Sequence, residues 1–253
     1  MSTRSLLVTG AGSGIGYGIS LFLAQQGWRI IATDLSLDAA QKTADEIIAL
    51  SGQASAYALD VTSEADTQAV FDSEPEIYGV INNAGIQHID PIEDFPKDKW
   101  EQLIKILLVG PAIMTGIAVK RMRAQGEGRI INIGSIHGVV ASPFKSAYIS
   151  AKHGLLGLSK TVALETADTD ITINTVCPAY VKTPLVEKQI ADQARTRGLT
   201  PDQVINEVML KPMPKKAFIS FEELGGTCQF LLSDAAKNMT GQALILDGGW
   251  TCT

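Results

Sequence analysis

The segment Gly10-Ala11-Gly12-Ser13-Gly14-Ile15-Gly16 constrains this chain more than any other. It follows directly on the apolar run Leu6-Leu7-Val8-Thr9, and a helix-length segment, Gly16–Gln26, comes next. Glycine reaches φ > 0 without steric cost. Its missing side chain also lets an anion approach the following helix N-terminus, where unpaired amide groups point outward. A strand, a glycine turn and a helix start, in that order, are the context in which such glycines hold a dinucleotide pyrophosphate. A tight turn without a ligand would use the same residues.

The second apolar run supplies a companion. Ile30-Ile31-Ala32-Thr33-Asp34 ends in a carboxylate 18 positions after Gly16. A carboxylate at that strand end accepts hydrogen bonds from both adenosine-ribose hydroxyls and repels a 2′-phosphate. Leu35-Ser36 offers no arginine to hold one, so the expected cofactor is NAD rather than NADP. Asp34 as a plain helix cap is the competing reading. Asp60-Val61, at the third strand end, is expected beside the adenine.

The rest of the chain repeats the same rhythm. Candidate strands are Ser5–Thr9, Arg29–Asp34, Ala54–Asp60, Gly79–Asn82, Arg129–Ile133, Thr172–Val176 and Ala243–Leu246. Helical patterns such as Gly16–Gln26, Leu37–Ser51, Asp98–Gln125 and Ser146–Thr166 alternate with them. The fold class is therefore α/β, a doubly wound parallel sheet over residues 1–253, with ligands at the carboxyl ends of the strands. One stretch departs from it: Thr183 to Phe218 reads as two short helices without a strand, an expected lid over the site.

Composition narrows the partners. The net charge of −6 argues against nucleic acid or an anionic membrane surface. The N-terminus has no secretory pattern. The apolar stretch Ile104 to Val119 contains Lys105, Gly110 and Pro111 and reads as too short to span a bilayer. Cys177, Cys228 and Cys252 are odd in number and widely spaced, giving neither a disulfide framework nor a metal signature, which suits the cytoplasm. No metal is expected. Because the helix Asp98–Gln125 has apolar residues nearly all round through Ile104–Val119, burial against another subunit is expected.

Four motifs in order, Thr9-Gly10-(x3)-Gly14-Ile15-Gly16, Asn82-Asn83-Ala84-Gly85, Ser135 and Tyr148-(x3)-Lys152, resemble the short-chain dehydrogenase/reductase family from Ser5 to Gly249. The resemblance implies a Rossmann-type fold, a nicotinamide cofactor and a homotetramer. It also implies cofactor contacts from Gly10, Ser13, Gly14, Ile15, Gly16, Asp34, Asp60 and Val61. Asn83, Ala84, Gly85, Tyr148, Lys152, Pro178, Val181 and Thr183 would add to them.

The chemistry is readable from the residues. Tyr148 and Lys152 share one helical face. A nearby ammonium and a nicotinamide cation favour the phenolate, each pKa unit being worth about 1.4 kcal/mol. Tyr148 is expected as general base, with Ser135 positioning the substrate oxygen and Lys152 also binding the nicotinamide ribose. One departure stands out. Where the family carries an asparagine that helps hold a water leading from the lysine to solvent, this chain has Leu107. The proton exit is therefore open to question, and a catalytically silent NAD-binding scaffold remains an alternative. Ala179, after Pro178, replaces a frequent glycine.

Polar residues cluster around these positions: Gln87, His137, Lys145 and Gln189. Lys145 supplies a charge for an anionic substrate and the others hydrogen-bond donors. The segments around them resemble family members that oxidise (R)-3-hydroxybutyrate to acetoacetate, in which the matching residues bind the substrate carboxylate. Trp250, with Tyr180 where relatives carry tryptophan, would wall the methyl pocket. His88 and His153 are expected to be structural. The competing family reactions are polyol oxidation and reduction of a 3-oxoacyl thioester.

Overall fold

The computed structural model describes residues 4–252, apart from the side chains at positions 185, 188, 192, 193, 196 and 197. The first three residues, part of the N-terminus read above, lie outside it. Seven strands form one parallel sheet: β1 (Ser5–Thr9), β2 (Arg29–Asp34), β3 (Gln53–Ala58), β4 (Ile77–Asn82), β5 (Glu127–Ile133), β6 (Asp170–Pro178) and β7 (Ala243–Leu246). Their spatial order is β3-β2-β1-β4-β5-β6-β7. The order reverses between β1 and β4, which leaves a crevice at their carboxyl ends.

Both β1 and β4 are buried along their whole length. That explains their continuous apolar runs, since a parallel sheet is covered on both faces. Alternate residues divide between two cores. Leu6 and Val8 pack with α1 (Gly14–Gln25), α2 (Leu37–Ala49) and, near the C-terminus, α9 (Phe221–Leu232). Leu7 and Ile31 pack instead with Phe71 of α3 (Glu64–Ser73) and Met114, Ala118 and Met122 of α5 (Gly110–Gln125). Helix boundaries follow their caps. Ser36 accepts from the Ala39 amide, Ser220 and Glu223 form a reciprocal box at the start of α9, and Gly126 ends α5 at φ 89°.

The expected helix Asp98–Gln125 is a continuous helical run with a changed middle. Between α4 (Lys97–Ile104) and α5, residues Lys105–Val109 form a π-turn in which the Gly110 amide donates to the Lys105 carbonyl. Pro111 gives the reason: it has no N–H for the Leu107 carbonyl, and its ring crowds that carbonyl in a regular helix. The wider turn presents Leu107 to the crevice. The run Lys97–Gln125 is 29 residues long with mean hydropathy 1.8 across its most apolar window, enough by length and composition to cross a bilayer. This corrects the shorter apolar length read from the sequence. Here its inner residues pack on the sheet.

After α6 (Ser146–Glu165) and β6 come α7 (Pro184–Arg197) and the single turn α8 (Pro201–Gln203), which runs into a second π-turn, Val204–Met209. These are the two helical pieces expected between Thr183 and Phe218. Val181 bridges Ile219 and ties the base of this excursion together.

Gly18 shows how closely α1 and α9 approach. A Cβ there would lie 2.4 Å from the Phe221 ring. Gly18→Ala is expected to destabilise the fold by about 1–3 kcal/mol despite alanine's better helix propensity. A thermal melt beside the native chain checks this, and an unchanged or raised midpoint contradicts the packing described.

Candidate active site

A cavity of about 680 Å³ opens at the carboxyl ends of the strands, across the β1/β4 switch point. At one end lie Asp34 and Leu35 after β2, and Asp60 and Val61 after β3. The Asp34 carboxylate accepts from the Gly12 amide and the Ser36 amide, both at 3.1 Å. It therefore faces the glycine turn while retaining lone pairs for a ligand. Asp60 is held by Thr62, whose amide and hydroxyl donate to Oδ1 at 2.9 and 2.8 Å.

Gly10, Ser13, Gly14 and Ile15 line the next section. Gly14 sits at φ 58°, and the nearest atoms a Cβ would meet belong to Thr183, 3.8 Å away. The Ser13 side chain makes no capping bond, so the first-turn amides of α1 face the cavity without a side-chain partner. Gly16 is different. A Cβ there would come within 2.3 Å of the Gly10 carbonyl, which makes this glycine a packing requirement beneath the turn rather than a lining residue. Asn83 pins the turn to β4: its Nδ2 donates to the carbonyls of Thr9 and Gly10 at 2.9 and 3.2 Å. Ala84 and Gly85 complete that wall, with Pro178, Val181 and Thr183 opposite. Thr183 also caps α7 by accepting from the Val186 amide.

The reacting groups converge at the other end. Lys152 on α6 is 6% exposed, and its Nζ donates to the Ile133 carbonyl at 2.7 Å, leaving two N–H donors. Its Nζ stands 5.7 Å from the centre of the Tyr148 ring, one helical turn away. Burial lowers the Lys152 ammonium to about 8. Burial also raises the Tyr148 phenol, with the Ser135 hydroxyl beside it acting the other way. Burial thus opposes the phenolate that the ammonium and a nicotinamide cation are together expected to favour. Behind the pair, Leu103, Leu107, Ala147 and Ala151 form an apolar cluster against Tyr148.

Ser135 ends the segment after β5, and its Oγ accepts from the His137 amide at 3.1 Å. His137 is 4% exposed and lies between two serines, with Nδ1 3.5 Å from Ser135 Oγ and Nε2 2.9 Å from Ser142 Oγ. Burial, then the charges of Lys145 and His153, lower its pKa to about 4, so the ring is neutral at pH 7. Lys145 lines the cavity, with Nζ 6.0 Å from the Tyr180 ring centre; burial lowers its pKa as well. Gln87 and Gln189 line the same region, and Gln87 Oε1 is buried with no hydrogen-bond partner among the described residues. Trp250 does not line the cavity. It stacks on Tyr180 at 6.2 Å and meets His137 edge-on at 5.9 Å, so it supports the wall from behind. His88 pairs with Asp90 at 2.7 Å, and His153 Nδ1 lies 3.0 Å from the Ile149 carbonyl.

The family model described as short chain dehydrogenase matches residues 4–194. The chain belongs to the short-chain dehydrogenase family. Among its members, a D-beta-hydroxybutyrate dehydrogenase from Rhizobium meliloti is 45% identical over 98% of this chain and 99% of the relative. A protein of the same name from Cupriavidus necator is 40% identical over 99% of this chain and 98% of the relative. A putative 2-deoxy-d-gluconate 3-dehydrogenase from Agrobacterium tumefaciens, solved with bound NADP, superposes with a TM-score of 0.88 at 29% identity. It covers 99% of this chain and 97% of that one.

A nicotinamide dinucleotide suits the short-chain dehydrogenase cavity on the chain's own geometry. The uncapped amides of α1 and the open approach over Gly14 meet the needs of a pyrophosphate. Asp34 stands at the strand end where an adenosine ribose would lie. Tyr180 and Ser142 are the residues that sequence reading weighted too lightly or missed. Tyr180 is betrayed only by its closeness to Pro178, and Ser142, in Ala141-Ser142-Pro143, by nothing local.

Proposed function

We propose that this short-chain dehydrogenase oxidises (R)-3-hydroxybutyrate to acetoacetate reversibly with NAD, as a cytoplasmic homotetramer. The observation that carries the substrate is Lys145. Its ammonium borders the cavity, and among the described residues no carboxylate pairs with it. A partly buried cation without a counter-ion favours an anionic ligand. Gln87 and Gln189 add amide donors to the same region, and the two named relatives support the same acid. NAD is favoured by Asp34, whose charge opposes a 2′-phosphate; among the described residues no basic side chain lines that end of the cavity. Val109 is exposed between α4 and α5, and Ile113, Ile117 and Val119 are only partly buried; this apolar surface supports subunit association.

When bound, the oxidised nicotinamide supplies the carbon that accepts hydride from the alcohol. Lys145 holds the carboxylate, which fixes the distance from that anchor to the carbinol. Ser135 and Tyr148 hold the reacting oxygen, and Tyr148 takes its proton as base. Lys152 supports the phenolate electrostatically, while the apolar cluster behind it keeps water away. In reduction the same phenol returns the proton to the carbonyl oxygen.

The pH dependence follows from the two shifts. Raised by burial, Tyr148 is mainly protonated at neutral pH, so the phenolate fraction and the oxidation rate rise with pH. Lys152 loses its charge near pH 8, and its support with it, so the rise is expected to bend there. Acetoacetate reduction, which uses the phenol, is expected to show no such rise. Initial rates in both directions between about pH 6 and 9 check this; parallel profiles contradict it.

Asp34→Ser is expected to reduce the NAD-over-NADP preference in kcat/KM by about tenfold, as one repulsive charge is removed. An unchanged ratio contradicts the assignment of Asp34. For the substrate, the test compares (R)-3-hydroxybutyrate with the uncharged diol of the same skeleton. The acid is expected to lead in kcat/KM by roughly a hundredfold, and preference for the diol overturns the reading.

A further inference from the structure

A polar row crosses the sheet just below the crevice. Asn82 at the end of β4, Asn132 on β5 and Thr175 on β6 are in-register neighbours on three adjacent strands, and all are buried. Two positions back along the same strands stand Val80, Ile130 and Ile173, which belong to the apolar core shared with α5 and α6. The row is joined through α6. Asn82 Nδ2 donates to Asn132 Oδ1 at 2.8 Å, and Asn132 Nδ2 donates to Ser159 Oγ at 2.9 Å. Ser159 Oγ lies 2.8 Å from Thr175 Oγ1; either hydroxyl can donate, and the link is the same. Ser159 is 1% exposed and also bonds the Leu155 carbonyl at 3.0 Å.

Apolar contact has no direction, so it fixes poorly how far a helix slides along a sheet. Hydrogen bonds weaken steeply with length and angle. A slip of α6 would leave buried groups of Asn132 and Thr175 unpaired, which is costly. The row also stands next to the reacting groups. Asn132 is followed by Ile133, whose carbonyl accepts from Lys152 Nζ at 2.7 Å, and then by Ser135. Tyr148, Lys152 and Ser159 are spaced by four and seven residues, so they share one face of α6. None of Asn82, Asn132, Ser159 and Thr175 lines the cavity, so their influence passes through the elements they join.

We infer that Ser159 is a positioning residue: with Asn132 and Thr175 it locks α6 to the sheet, and so sets the place of Tyr148 and Lys152 relative to Ser135. The inference rests on the reading of Ser135, Tyr148 and Lys152 as the reacting groups. It gives the polar row a task besides stability. Tyr148 and Lys152 stand on the helix and Ser135 stands after the strand, so their spacing is only as exact as the seating of one on the other. An error of about 1 Å in such a site costs roughly a hundredfold in rate.

Ser159→Ala removes the links and leaves every reacting group in the chain. Its comparison is Thr166→Val at the end of the same helix, which deletes only the bond from Thr166 Oγ1 to the Val162 carbonyl at 2.9 Å. Both variants are expected to melt below the native chain. Ser159→Ala is also expected to lower kcat about tenfold in both directions, within the cost of a misplacement under about 1 Å, with NAD-induced stabilisation kept. Thr166→Val is expected to keep the native kcat. The bend near pH 8 in the oxidation profile is a second readout. With α6 loosened from β5, Lys152 gains water, so its pKa rises and the bend moves up. The titratable groups beside it, Tyr148 and Cys177, are unchanged in the variant. A Ser159→Ala protein with a lowered melting point but native kcat and native bend overturns the inference. Equal loss of kcat in Thr166→Val does the same, because the loss then follows stability. Should Ser159→Ala fail to fold, Thr175→Val keeps the volume, removes one link and is read in the same way. Rates are taken on the alcohol that the native chain oxidises. Failure of the underlying reading shows separately, as full activity in Tyr148→Phe.

Discussion

Tyr148→Phe is expected to lower turnover by about three orders of magnitude in both directions, in the range of a lost general acid–base, without unfolding the protein. The ring packs against Leu103, Leu107, Ala147 and Ala151, and phenylalanine keeps all of that contact. What is lost is one oxygen at the point where Ser135 and the reacting alcohol meet. The loss should be confined to kcat, because neither the glycine turn nor Asp34 depends on the phenol. Initial rates, read beside thermal melts with and without NAD, separate the two effects. A variant that still turns over at a tenth of the native rate would move the acid–base role elsewhere. Equal loss of NAD-induced stabilisation would make Tyr148 a binding residue instead.

The second large effect belongs to Lys145→Met. Methionine keeps the apolar stem beside Tyr180 and removes only the charge. Truncating one partner of a partly buried, charge-assisted pair costs about 2–5 kcal/mol, so KM for the hydroxy acid should rise by roughly a hundredfold. Turnover at saturation should change far less, because the ammonium contacts the end of the substrate that does not react. Activity on the uncharged diol should be unaffected or improved. A KM that stays put for the acid would place the anion site on Gln87 and Gln189 alone.

Much of this architecture was legible because parallel sheets leave a strong record. Leu6-Leu7-Val8 and Ile30-Ile31-Ala32 could be read as doubly covered strands, and the glycines after the first located the crevice. The ends were less legible. β6 extends to Pro178 and β4 begins at Ile77, where pairing with neighbours rather than residue type sets the limits. The π-turn ahead of Pro111 lies within an apolar run whose periodicity carries no phase, so only the proline marked it, and its consequence for Leu107 needed the packing. The burial that raises the Tyr148 phenol was not legible for a related reason. Motif spacing gives the distance between two side chains, whereas the water they lose depends on Leu103, Leu107 and the rest of the wall. His137 was visible as a polar residue near Ser135, but its second serine lies across a turn that no local pattern specifies.

The central claim is a phenol that exchanges a proton with the oxygen of a small acid whose other end is gripped by Lys145. Its most direct test is the appearance of NADH when the purified chain is mixed with NAD and each enantiomer of 3-hydroxybutyrate in turn. Formation of NADH from the (R) enantiomer, with the (S) enantiomer inert, is the predicted result. No NADH from either, in a preparation that binds NAD and oxidises an uncharged alcohol, would contradict it.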